Sequence, residues 1–209
     1  MPSDEGYIKF QLDWQPADPV SLAEISELND IRQRLYRYGW IGFDEQLKVG
    51  FGNLSRRDAS HHGGLFLISG TQTGARPQLT GAHYTWVTHY DLAQNQLSCR
   101  GPLRASSESM THAAAYAASA QIGAVLHIHH RAAWEAVLHQ WPTTPVDVAY
   151  GTPAMAQAVQ NLLGSLDTTQ PQLIAMGGHE EGLLATGATA ATAYAHLAQA
   201  MEEVMKRRK

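Results

Sequence analysis

The sequence predicts a single α/β domain around a largely antiparallel sheet. Three observations carry this. Short apolar runs of strand character alternate with segments whose apolar residues recur at helical spacing. Several strand candidates stand as close pairs around short turns, a connection open to antiparallel neighbours and closed to parallel ones. The chain has 209 residues, 44% of them hydrophobic, enough for one sizeable core. No repeat, low-complexity run or linker divides it, so the domain is read as residues 1–209.

The elements follow in order. "YIKFQLDW" (7–14) alternates and reads as a short strand. "SLAEISELNDIRQRLYRYG" (21–39) is the first clear helix. Ser21 and Glu24 form a capping-box pattern, Leu22, Ile25, Leu28, Ile31 and Leu35 share a face, and Gly39 marks the stop. "GFGNLSRRD" (50–58) is glycine-rich and leads to a buried strand, Leu65 to Ile68, which ends in a Ser-Gly-Thr turn. "YTWVTHYDLAQNQLSCRG" (84–101) reads as two strands around a turn at Ala93 to Asn95. An Ala-rich helix over 106–121 precedes the strand "GAVLHIHH" (123–130). "TPAMAQAVQNLLGSL" (152–166) is a helix with Pro153 at its first position. Two buried strands, 172–178 and 182–187, and a closing helix over 189–209 complete the chain.

Composition excludes several function classes. A formal net charge of −4 provides no basic field for nucleic acid or anionic membrane. The one strongly basic run, Lys206-Arg207-Arg208-Lys209, reads as a solvated helix end, where cations suit the helix dipole. Cys99 is the only cysteine, so an internal disulfide and a Cys-based zinc site are both ruled out. The opening "MPSDEGYIKF" lacks the pattern of a signal peptide, and no apolar run approaches the roughly 18 residues of a membrane helix. The expectation is a cytoplasmic protein that binds neither nucleic acid nor membrane.

Chemistry concentrates in three places. In "AVLHIHH" (124–130) strand alternation puts His127 and His129 on one face, where two imidazoles can grip one ion. His130 falls on the other face and could line the entrance. His179 in "MGGHEEG" sits in a glycine-rich turn after a buried strand and is the best third ligand. In "ASSESMTH" (105–112) Glu108 stands at a helix start, where it either caps the helix or serves as a general acid/base. Ser106 and Ser107 there, with free helix N–H groups, make an anion site. "GNLS" (52–55) and "SGTQTG" (69–74) are turns able to cradle phosphate or carboxylate, although most such turns are only turns. His61, His62, His83 and His89 read as loop and surface histidines.

The order of these pieces is more specific than any one of them. "GNLSRR", "LISGTQTG", "ASSESMTHAAAY", "AVLHIHH", "YGTPAMAQAV" and "IAMGGHEEGLLATG" follow one another over residues 22 to 204. The set resembles the class II aldolase and adducin head-domain family, which includes zinc-dependent sugar-phosphate aldolases and ribulose-phosphate 4-epimerase. The resemblance implies an α/β/α sandwich with a mostly antiparallel central sheet. It implies a Zn2+ or similar divalent ion on His127, His129 and His179, and Glu108 as the catalytic acid/base. It places Gly52, Asn53, Ser69, Gly70, Ser106 and Ser107 where family members hold a substrate phosphate, and gives His112 a supporting role. The implied reaction is reversible aldol cleavage of a small hydroxy-ketone or sugar phosphate through an enediolate, in a homotetramer. Epimerisation on the same scaffold and a non-catalytic, adducin-like oligomerisation module are the alternatives.

The sequence departs from the family pattern in three places. Glu180 and Glu181 follow His179 where the family has a glycine, and solvent exposure is the expectation for them. The stretch between "HIHH" and "YGTPAM" is short. The "SGTQTG" turn is richer in hydroxyls than the aldolase turn.

Overall fold

A computed structural model describes residues 7–58 and 64–207. The element order is β1 (Gln11–Gln15), α1 (Leu22–Arg37), β2 (Gly42–Asp44), β3 (Val49–Phe51), β4 (Asn53–Arg57), β5 (Phe66–Ser69), β6 (Tyr84–Asp91), β7 (Gln96–Arg100), α2 (Ser109–Ala118), β8 (Ala124–His129), α3 (Arg131–Val137), α4 (Pro153–Gly164), β9 (Gln172–Ala175), β10 (Gly182–Gly187) and α5 (Ala190–Arg207). Eight strands form one sheet in the order β1-β7-β6-β5-β4-β8-β10-β9, and β2 and β3 form a separate hairpin. Every pairing in the large sheet is antiparallel except β1 with β7, at one edge.

Two apolar layers clothe the sheet, as the α/β/α sandwich requires. On one face Leu54, Leu126, Ile128 and Leu183 pack with Ile25, Leu28 and Leu35 of α1, Ala133 and Val137 of α3, and Leu197 and Met201 of α5. On the other, Phe66, Ile68, Val125 and Leu184 pack with Met110, Ala114 and Tyr116 of α2 and Met155, Val159 and Leu163 of α4. No described helix is long and apolar enough to cross a membrane.

The capping box on α1 is present: Ser21 and Glu24 exchange bonds between side chains and backbone N–H groups. Three elements depart from the sequence reading. The hairpin β2–β3 forms because Asp44 Oδ1 accepts from the N–H of Gln46 (2.8 Å) and Leu47 (2.9 Å), an Asx-type turn. The short helix α3 is capped by His130 Nδ1, which accepts from Ala133 N–H, so His130 serves that helix and is absent from the lining of the histidine-bearing cleft. The third is β4, a central strand where a glycine-rich segment was expected. Gly52, at φ +73°, ends β3 and turns the chain into it; a Cβ there would meet Ile41 Cγ1 at 2.7 Å.

Strand β4 carries polar residues at alternate positions, and each reaches the α2 layer differently. Ser55 Oγ lies 2.6 Å from His112 Nδ1 and 2.7 Å from Tyr116 OH, both on α2. Arg57 donates to the carbonyls of Tyr116, Ser119 and Ile122 at 2.9–3.0 Å, closing the C-terminal end of that helix, and stacks over the Tyr116 ring. Asn53, two residues before Ser55, arrives at the cleft. Replacing Arg57 by Met keeps much of the apolar stem and removes three charge-assisted bonds. The expected cost is about 2–3 kcal/mol in a urea titration; a change below about 0.5 kcal/mol would reject this clamp.

Candidate metal centre and cleft

The site lies where β4, β8 and β10 meet. Asn53 pairs across from His127, and Gly182 from His129. Alternation along β8 turns His127 and His129 to the α2 side, while Leu126 and Ile128 face α1 and α5. His179 comes from the turn between β9 and β10, whose N–H groups are tied back to Met176 O and His179 O. Gly182 allows that turn to close on the imidazole, since a Cβ there would sit 3.0 Å from the ring.

All three histidines are buried, and one ring nitrogen from each lies within 4.8 Å of the others. His127 Nδ1 faces the Leu183 carbonyl at 3.2 Å. A carbonyl only accepts, so Nδ1 carries the proton and Nε2 presents its lone pair. That Nε2 stands 3.1 Å from His129 Nε2. Two nitrogens on one tetrahedral ion, each about 2 Å from it, sit roughly 3.3 Å apart. The donor set therefore fits a divalent ion that prefers imidazole, and the buried cluster can hold one. Burial, reinforced by the neighbouring imidazoles of His129, His179 and His112, holds His127 well below the usual imidazole range, in the neutral form a metal needs. Neighbouring rings brace the cluster: Phe51 lies 5.3 Å from His129, and Tyr150 stacks on His179 at 4.4 Å, with Lys9 over the tyrosine ring.

Glu108 occupies the position before α2, but its side chain caps nothing. Its Oε2 accepts from Thr111 Oγ1 at 3.0 Å, and the residue is 4% exposed. One narrow cleft brings Glu108 together with the three histidines, Gly52, Asn53, Gly70, Ser106 and Ser107. Ser69 lies outside that lining, and its Oγ accepts from Leu54 N–H inside the sheet. Neither Lys nor Arg lines the cleft among the described residues, so oxygen-bearing groups would meet backbone N–H, hydroxyl and amide donors.

Sequence reasoning missed several contributors. Phe51 and Gly50 from the small hairpin complete the wall, beside Thr71 to Gly74 of the turn after β5 that the sequence had singled out. Buried Arg32 of α1 holds that turn, donating to Thr73 O (2.8 Å) and Pro77 O (3.3 Å). A Cβ on Gly74 would meet Gly42 O at 2.1 Å and Gly50 Cα at 2.6 Å, so turn and hairpin touch through bare backbone. The tightness of that contact could not be read from spacing, though the clustering of glycines at 70, 74, 50 and 52 is its visible trace.

The remaining histidines do other work. His83 Nδ1 accepts from Thr80 N–H and closes a single helical turn, and His89 is exposed on β6. His61 and His62 lie outside the described residues. Glu180 and Glu181 pair with Arg131 at 2.6 and 2.9 Å on the surface beside Phe51 and His129. The solvent-facing expectation therefore holds for Glu180, whose side chain is 63% exposed, and in part for Glu181 at 34%.

Buried neutral histidines make stability pH-dependent. Burial lowers His112 to about 3 and lowers His127 as well, against an ordinary value of 6.5. The unfolded chain then binds protons more readily than the folded one below that ordinary value. This contribution is complete above it and is lost as pH falls toward the folded value. The metal-free protein should lose denaturant resistance between about pH 7 and about pH 5.5, where carboxylates still ionise. A flat urea midpoint across that window contradicts two buried neutral imidazoles.

Comparison with known proteins agrees with the geometry. Residues 26–207 match the family model for the class II aldolase and adducin N-terminal domain. L-fuculose-1-phosphate aldolase from Thermus thermophilus superposes with a TM-score of 0.62 at 19% identity, covering 86% of this chain and 90% of that one. YgbL from Klebsiella pneumoniae, described as a candidate aldolase, epimerase or decarboxylase, gives 0.62 at 18%, covering 90% and 89%. A sugar-phosphate aldolase from Thermotoga maritima gives 0.61 at 15%, covering 88% and 94%. No curated protein sequence matches significantly. At these identities the solved structures establish the fold, and the family match over most of the chain establishes membership: this protein belongs to the class II aldolase and adducin N-terminal domain family.

Proposed function

We propose that the protein is a zinc-type, metal-dependent lyase that reversibly cleaves a carbon–carbon bond in a small hydroxy-ketone or sugar phosphate. One observation carries the reading: the buried Glu108 carboxylate opens onto the same cleft as the three imidazoles. His127, His129 and His179 would hold the ion, with the Leu183 carbonyl fixing the His127 ring. When bound, the ion supplies Lewis acidity at the substrate carbonyl. Glu108 holds and moves the proton exchanged at the carbon beside that carbonyl, from a position fixed by Thr111. The backbone at Gly52, the Asn53 amide, the turn at Gly70 and the Ser106 and Ser107 segment set the register of the substrate's oxygen-rich end. Low exposure of Glu108 and the histidines keeps bulk water from competing for the proton.

The test pairs metal content with turnover. Chain purified without tag or chelator should carry about one transition ion, lost in His129→Ala. It should cleave at least one hydroxy-ketone or ketose phosphate in an aldehyde-release screen. Glu108→Gln should keep the ion and lose activity by about 100-fold or more. Cleavage unaffected by Glu108→Gln would overturn the acid/base role, and absence of ion after incubation with zinc would overturn the metal reading.

The same reading carries a homotetramer, supported by the assembly habit of the family. Light scattering should then give a mass four times that of the 22.8 kDa chain. A monomer would reject the assembly part and leave the site chemistry standing.

A further inference from the structure

Three buried polar groups, Tyr116, Ser55 and His112, form a line in which hydrogen-bond direction can be deduced. Tyr116 OH has one partner, Ser55 Oγ at 2.7 Å. Burial pushes the Tyr116 phenol up, so it keeps its proton and must donate it to Ser55. Ser55 Oγ has two partners, Tyr116 and His112 Nδ1 at 2.6 Å. Having accepted from the phenol, it can place its own proton only on His112 Nδ1. A proton on Nδ1 would aim two donors at Ser55 and leave the serine proton with no acceptor. Neutral His112 therefore carries its proton on Nε2.

That Nε2–H is buried, and no group among the described residues accepts from it. Two further buried atoms also lack partners among the described residues: Ser109 Oγ and Asn53 Oδ1. Ser109 precedes His112 by three residues on α2 and so shares its face. Asn53 precedes Ser55 by two residues on β4 and so shares its face of the sheet. An orphaned buried donor costs about 1–3 kcal/mol, and native proteins relieve such groups with internal water.

We infer that Tyr116, Ser55 and His112 form a one-way hydrogen-bond relay ending in a buried water, which accepts from His112 Nε2–H and Ser109 Oγ–H and donates to Asn53 Oδ1. All bonds from Tyr116 to Asn53 then run in one direction. The Asn53 amide is fixed with its oxygen turned inward, so its two N–H donors face the cleft. His112 is a positioning residue in this arrangement: it decides which end of Asn53 the substrate meets. The value of a donor at that place rests on the proposed function; the relay and its water do not.

Ring-nitrogen NMR of full-length, 15N-histidine-labelled protein tests this without turnover, with His112→Gln identifying the resonances. At neutral pH the wild type, zinc-loaded or not, should show His112 protonated at Nε2 alone. Tyr116→Phe removes the donor that forbids the other tautomer, so an Nδ1–H population should appear; Ser55→Thr should retain the wild-type form. A merely structural role for Tyr116 would leave the tautomer unmoved. A high-resolution crystal structure of the wild type should show one water within hydrogen-bonding distance of His112, Ser109 and Asn53. An Nδ1–H tautomer in the wild type, zinc bound at His112 Nε2, or no water at that place overturns the proposal. A protein that lacks aldol activity yet shows the relay would refute the proposed function alone.

Discussion

The antiparallel pairing of β4 with β8 is the constraint on which the rest of the molecule depends. It sits at the middle of the sheet and sets Asn53 opposite His127 and Leu54 opposite Leu126. A one-residue slip would exchange the faces of every side chain on the moved strand. It would send Ser55 and Arg57, or the imidazoles of β8, into the apolar layer under α1 and α5. Register is thus enforced twice, by Leu54, Leu126 and Ile128 on one side and by the polar partners of α2 on the other.

This arrangement places an expensive set of groups in the interior. Three imidazoles, a carboxylate, a serine and a further histidine are all nearly inaccessible. Burial of a charge without compensation is strongly unfavourable, so His112 and His127 stay neutral. Imidazoles converging on one point are poor structural elements by themselves, and a bound cation would turn them into a stabilised centre. The buried carboxylate accepts from Thr111 within its own helix, and no lysine or arginine among the described residues lines the cleft. A cleft built this way is preorganised for oxygen-rich ligands through fixed dipoles.

Much of this was legible in the sequence, for identifiable reasons. The spacing of His127 and His129 on an apolar strand states which face they share, and the glycines around His179 announce a tight turn. Helices α1, α4 and α5 declared themselves through caps and periodicity. Strand β4 stayed hidden because Leu54 is its only apolar residue; Ser55 and Arg57 serve α2, a partner that only tertiary structure supplies. Helix α3 stayed hidden because its cap is a histidine, outside the usual Ser, Thr, Asp and Asn set. Ser69 showed the converse limit: a serine beside a glycine in a motif turned inward to the sheet, while its neighbours Gly70 and Thr71 faced the cleft.

The account turns on three imidazoles sharing one ion. X-ray absorption at the zinc edge, on protein loaded with one equivalent, counts and identifies the donors directly. The prediction is three imidazole nitrogens at about 2.0–2.1 Å with lighter oxygen donors in the open positions. A spectrum with one or no imidazole, or with zinc held by carboxylates alone, would contradict it.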